Sequence, residues 1–231
     1  MRISSYTLLI SIMLVLPFCG HAQEKAAEEE KSGNWKSMFS FNGIGVSADL
    51  FGFAYSLLDD YTSAEIAVEA NLGNRFYPIA EVGFGWCNTT DETFGIKYRT
   101  AAPYYKLGLN YNFLTNEENP NPKHYVYGLA RIAWSGFEYD VTTPPITDPV
   151  WGGSVALDLK NISGSCLWGE IGAGIKVNIY KGLHMGWSIR YKIRFTQKEG
   201  SNSNMWYIPG YGINQSTGFG GTYSIIYDFP L

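Results

Sequence analysis

Arg190, Lys192 and Arg194 stand at every second position, separated by Ile189, Tyr191, Ile193 and Phe195. Charges recur at this spacing along the chain. Asp49 follows Val46 and Ala48, and Glu65 and Glu69 alternate with Ile66, Val68 and Ala70. Glu81 stands beside Val82 and Phe84, Lys106 between Tyr105 and Leu107, and Arg131 beside Ile132. Glu170 and Lys176 interleave with Ile171, Ala173 and Ile175. With Asp228, the alternating charges comprise six acids and six bases. Carboxylates and cations on one surface can pass ions, hold a divalent cation, or work beside a nucleophile in acid–base catalysis.

Spacing separates these chemistries. His184 and Ser188 share a face, but four residues of strand span about 13 Å, beyond the roughly 3 Å that a nucleophile and its base need. His124 is the other histidine outside the N-terminal segment, and no triad emerges. Asp59-Asp60, Asp91-Glu92 and Asp140 could offer oxygens to a divalent ion, yet their spacing fits no known ion loop. There is no nucleotide fingerprint and no basic cluster, so neither a cofactor nor nucleic acid is expected. What remains is a narrow ion path or a set of mutually paired charges. Confined charges persist by pairing, and the even balance favours a polar plug.

The elements that would carry these residues follow from the period. A repeat of two means strand, since successive side chains point to opposite faces. The clearest case is residues 166–196, two long alternating runs around Lys181-Gly182. Eight strands are predicted, at about 43–56, 63–72, 76–87, 104–114, 125–139, 166–180, 184–196 and 218–229. Connections alternate short (73–75, 115–124, 181–183) and long (88–103, 140–165, 197–217), except that the first outer loop, near 58–62, is also short. Short turns at one end and long loops at the other, with apolar and charged faces, predict an all-β, eight-stranded antiparallel transmembrane β-barrel of the outer-membrane type. An eight-stranded barrel is filled by its own side chains. In the 166–196 hairpin, Tyr180 opposite His184 would keep faces matched across a three-residue loop, setting Glu170 opposite Arg194, Gly172 opposite Lys192 and Gly174 opposite Arg190.

Lipid contact assigns the faces. Arg or Lys toward lipid costs about 2–4 kcal/mol at the midplane, so Asp49, Glu65, Glu69, Glu81, Lys106, Arg131, Glu170, Lys176, Arg190, Lys192 and Arg194 are expected to line the lumen. Trp86, Tyr105, Trp134, Phe195 and Phe219 would form an outer aromatic girdle. Tyr111, Phe113, Trp187, Tyr227 and Phe229 would form an inner one. A soluble lipocalin-like barrel would have the opposite polarity. Loop aromatics Trp151, Trp206, Tyr207 and Tyr211 could instead form a sugar platform. Cys87 and Cys166 are a candidate disulfide, which would require both strands to bend above the rim.

The 231 residues carry a formal charge of -4 and are 16% aromatic, with 26 glycines. Residues 1–22 read as a signal peptide: Arg2, an apolar run from Leu8 to Phe18, and Gly20-His21-Ala22 before Gln23. Cys19 raises a lipoprotein alternative, but the bulky Phe18 precedes it. Residues 23–38 read as a polar periplasmic leader and 39–231 as the barrel, making the expected location the outer membrane.

SLLDDYTSAEIAVEANL (56–72), YKLGLNYN (105–112), QKEG (197–200), MWYIPGYG (205–212) and GFGGTYSIIYDFPL (218–231) together resemble a domain-of-unknown-function family, number 6048, of small outer-membrane barrels. More broadly, the architecture is similar to the OmpA/OmpX type. The resemblance implies a barrel and its location but transfers no catalytic or binding residue. The expected role is structural or interactive through outer loops. A narrow channel for small solutes is the alternative, and a lipid-modifying enzyme a distant third. Expected partners are outer-membrane lipid, barrel-assembly machinery during insertion, and an extracellular ligand or protein at the loops.

Overall fold

The computed structural model describes residues 39–55, 61–116, 118–147, 152–200 and 205–230. The proposed signal peptide and leader therefore lie outside the described residues, as do Asp59, Asp60 and Trp151. Eight long strands are described: β1 (Phe41–Asp49), β2 (Tyr61–Leu72), β3 (Phe76–Thr90), β4 (Lys97–Asn112), β5 (His124–Thr142), β6 (Asp158–Tyr180), β7 (Leu183–Lys198) and β8 (Thr217–Pro230). Each pairs antiparallel with its chain neighbours, and β1 pairs with β8 to close the ring. Closure leaves no open edge, which lipid would not tolerate.

Burial alternates residue by residue along β3, β4 and much of β5. The buried set includes Glu81, Lys106, Arg131, Glu170, Lys176 and Arg190, whereas Ile66, Val82, Leu107, Ile132, Ile171 and Ile189 are exposed. A soluble barrel would bury the second set and expose the first. The chain is an eight-stranded antiparallel transmembrane β-barrel of the outer-membrane type.

The β6–β7 turn departs from the sequence expectation. Lys181 and Gly182 both have positive φ, at 36° and 86°, as a two-residue turn that follows strand twist requires. Tyr180 faces Leu183, and a bulge between Asn178 and Tyr180 restores the matching of faces. The extra residue thus sits in the strand as Ile179, not in the turn. Expected partners consequently shift by two: Glu170 faces Lys192, Gly172 faces Arg190 and Gly174 faces Ser188. A shift of two keeps every side chain on its expected side; a shift of one would have inverted the strand.

Other boundaries also move. β1 stops at Asp49 and the chain turns into α1 (Leu50–Tyr55), so the strand expected to reach residue 56 is shorter. Asp49 Oδ1 accepts the backbone N–H groups of Phe51 and Tyr223, each at 3.1 Å, linking the helix start to β8. The loop expected over 88–103 reduces to 91–96 because β3 and β4 continue pairing as far as Thr90 and Lys97. β6 begins at Asp158, eight residues before the expected start. Two short hairpins occupy the remaining long connections, pairing Ile146–Thr147 with Ser154–Val155 and Tyr207–Ile208 with Gly212–Ile213.

Candidate functional site

The middle of the lumen is a layer of interlocked charges. β3 supplies Glu81, β2 Glu65, β6 Glu170, β4 Lys106, β5 Arg131 and β7 Arg190. Arg131 Nε donates to Glu81 Oε1 at 2.8 Å, and its Nη2 donates to Asn110 at 2.7 Å. Arg190 reaches Glu81 at 3.0 Å, Glu170 at 3.2 Å and Glu65 at 3.5 Å. Lys106 lies 2.7 Å from Glu65, 3.4 Å from Glu170 and 3.8 Å from Glu81. The indole N–H of Trp168 donates to Glu170 at 2.8 Å. Lys106 and Arg190 are thus each shared among acids from three strands. Gly172, opposite Arg190 and not the expected Lys192, lies so close to β7 that a Cβ would strike the Ile189 carbonyl and crowd the Arg190 backbone.

Toward the short-turn end, Lys176 donates to Glu69 at 2.7 Å and to Asp228 at 2.9 Å. Asp228 also meets His184 Nε2 at 3.0 Å. Tyr77 and Tyr125 stack with centroids 5.6 Å apart beside Lys176. Glu69, Asp228, His184, Tyr77 and Tyr125 of this cluster line a cavity of about 570 Å³, together with Asn42 and Asn121, while Lys176 lies behind them. A further space of about 30 Å³ lies between Glu69 and Glu81, bordered by Asn110, Arg131 and Arg190.

Toward the long-loop end, the segment after β7 folds into the mouth. Ile208 and Pro209 are fully buried, and Tyr207, Tyr211 and Met205 nearly so. Lys192 Nζ donates to the carbonyls of Gly210 and Tyr211, each at 2.9 Å. Arg194 Nη1 donates to Asn214 Oδ1, and the Tyr98 hydroxyl donates to the carbonyl of Tyr207 at 3.0 Å. Tyr104 lies between the wall and this segment: a Cβ at Gly83 or Gly210 would collide with its ring. Gly210 also has φ +80°, a conformation glycine adopts without strain.

The predicted site residues therefore divide. Glu65, Glu81, Lys106, Arg131, Glu170 and Arg190 come together in one layer, and Glu69 and Lys176 in another. Asp49 accepts from the backbone of α1 and of Tyr223. Lys192 and Arg194 bind loop backbone and amide groups, and the expected Glu170–Arg194 pair does not form, because the register carries Arg194 one step outward to face Trp168. No disulfide joins Cys87 and Cys166, which are both buried. Three inter-strand steps from β3 to β6 amount to about 14 Å around the wall, twice the permitted Cα separation.

His184 and Ser188 are not partners: Ser188 Oγ hydrogen-bonds Thr222 at 2.7 Å and accepts from Arg190 Nε. Asp91 accepts the N–H groups of Thr93 and Phe94, while Asp140 accepts that of Asn161. Among the described residues, no three His, Cys, Asp or Glu side chains are grouped to hold a metal. Trp86, Tyr105, Trp134, Phe195, Phe219, Phe113, Trp187, Tyr227 and Phe229 are exposed on the wall, and Tyr111 is half-exposed. Tyr105 stacks on Trp134, and Tyr227 meets Phe229 edge-on.

Sequence reasoning overlooked Tyr98, Tyr104 and Trp168, all fully or almost fully buried. The signal was available, since the tyrosines share the parity of Lys106 and Trp168 that of Glu170. Tyr207 and Tyr211, read as loop aromatics for a sugar platform, are packed inside.

Residues 3–231 match the family model described as a domain of unknown function, DUF6048. The chain belongs to this family. No curated protein matches it. Among solved structures, this DUF6048 member is similar to a major outer membrane protein from Thermus thermophilus, with 13% identity and a TM-score of 0.46, over 82% of this chain and 99% of that one. It is also similar to Ail, the attachment invasion locus protein of Yersinia pestis, with 12% identity and a TM-score of 0.41, over 83% and 100%.

Proposed function

We propose that this protein is an integral outer-membrane barrel with an occluded lumen, which acts structurally or by interaction through its long-loop end. The observation that carries this reading is the layered filling of the interior. Interlocked charges cross the middle, and the segment 205–214 is tied into one mouth by Lys192 and Arg194. Paired side chains leave no continuous water column through so narrow a barrel. Location in the outer membrane, after cleavage between Ala22 and Gln23, is part of the proposal and is supported by the apolar exterior. So are its partners: lipid around the wall, assembly machinery during insertion, and a ligand or protein at the loops.

Reconstitution in planar bilayers tests occlusion. The expected result is no steady conductance at moderate voltage; stable open-channel currents from the unmodified protein would overturn the reading. A gated pore is the second reading, favoured by the loop contribution to the seal: segment 205–214 is not part of the wall. Under that reading, deleting the segment opens measurable current. Outer-membrane fractionation with heat-modifiable migration is expected under both, and recovery as a soluble periplasmic protein would contradict both.

A further inference from the structure

We propose that the short-turn mouth of the barrel is a binding site for a neutral, hydroxyl-rich oligosaccharide. The cavity there, of about 570 Å³, falls within the roughly 300–1,000 Å³ typical of small-molecule sites. Its selectivity follows from what its floor has already neutralised. Lys176 bridges Glu69 and Asp228, and the second oxygen of Asp228 meets His184. The remaining Glu69 oxygen accepts from Asn110 at 3.3 Å. A charged ligand would thus have to break a buried pair to find a counter-charge on the floor, a costly exchange.

Apart from Lys123, the groups left for a ligand are neutral. Asn42 and Asn121 line the cavity, and no side-chain hydrogen bond to either occurs among the described residues. Each amide presents a donor and an acceptor side by side, the complement of neighbouring sugar hydroxyls. Tyr77 and Tyr125 add an aromatic wall with polar tips, suited to a molecule with both C–H faces and hydroxyl edges. His184 Nδ1 is buried and has no hydrogen-bond partner in the protein. An orphaned buried polar atom in a native structure calls for water or a ligand to complete it. Nε2 is engaged by Asp228 and, at 3.4 Å, by Asn178 Nδ2, so Nδ1 is the ring nitrogen left for a ligand hydroxyl, which can donate or accept. Lys123, which is exposed, is the one lysine or arginine among the residues lining the cavity.

The test uses the full chain refolded in an amine-oxide detergent, because a maltoside would compete. Maltotetraose and a tetramer of N-acetylglucosamine are titrated separately by calorimetry, which distinguishes a plain glucan from an N-acetylated glycan. Saturable binding of either is expected, with a Kd of about 0.1–1 mM. Asn42→Ala and Asn121→Ala should each weaken it about fivefold, and the double variant should abolish it, with heat-modifiable migration preserved. In the unmodified protein the His184 ring resonances should shift on titration, a readout that needs no variant to refold. Absence of heat and of a His184 shift with both sugars would overturn the proposal. Binding that survives the double asparagine change would overturn it equally.

Discussion

The two halves of the lumen are filled by different means. In the middle and toward the short turns, the filling comes from the wall itself, as side chains projecting at every second position of the strands. Toward the long loops it comes from a folded-back segment that is not part of the wall, held by Lys192, Arg194 and Tyr98. The first arrangement joins buried opposite charges, most with several partners. The second joins cations and a hydroxyl to neutral backbone carbonyls and an amide, with Tyr211 of the segment packed among Tyr104 and Trp168 of the wall. Removing one partner from the first strands a buried charge; removing one from the second releases a loop.

That contrast predicts an order of effects. Glu81→Gln should be the most damaging, since Arg131 and Arg190 both lean on Glu81. Breaking a buried pair typically costs about 3–5 kcal/mol, readable as a lowered urea midpoint of the refolded barrel. A loss below about 1 kcal/mol would mean that water reaches the layer and screens it.

Glu170→Arg should be comparably destabilising, and Arg194→Glu should not rescue it, because Arg194 serves Asn214. Arg190→Glu should restore part of the loss. Rescue by Arg194→Glu in heat-stability assays would instead support the hairpin register expected from the sequence.

Lys192→Met should cost less, about 1.5–3 kcal/mol for hydrogen bonds from a charged donor. Its larger effect should be local: faster proteolysis within 199–216, with the barrel core intact on gels. Whole-barrel unfolding at the same rate as loop cleavage would erase the distinction between the halves. Phe219→Leu, on the lipid face, should change stability by no more than about 0.5 kcal/mol by the same urea assay.

The wall was legible because one rule generates it. Alternation places Glu81, Lys106 and Arg131 inside and Val82, Leu107 and Ile132 outside without any knowledge of neighbours. Pairing was less legible: the Ile179 bulge shifts Glu170 from Arg194 to Lys192 while leaving every face unchanged, so face periodicity is blind to it. The loop filling was hidden for another reason. Tyr207-Ile208-Pro209-Gly210 has no period, and its burial depends on Tyr104 and Lys192, which are distant in sequence or lie on another element. The cavity floor was partly readable, as Glu69 and Lys176 share the lumen face, but nothing in the spacing joins them to His184.

The ring closes where β1 meets β8, along Gly43–Asp49 against Ser224–Pro230. Every other seam in the wall joins strands consecutive in the chain, which can zip from a turn, whereas this one brings together opposite ends of the described chain. Its loop-closure entropy is the largest of the eight seams. β1 is also the shortest wall strand, nine residues against twenty-three for β6, and has the least ladder to lose. The seam that carries the largest closure cost is thus also one of the two with the shortest ladders, since β1 pairs through seven residues with β8 and through seven with β2.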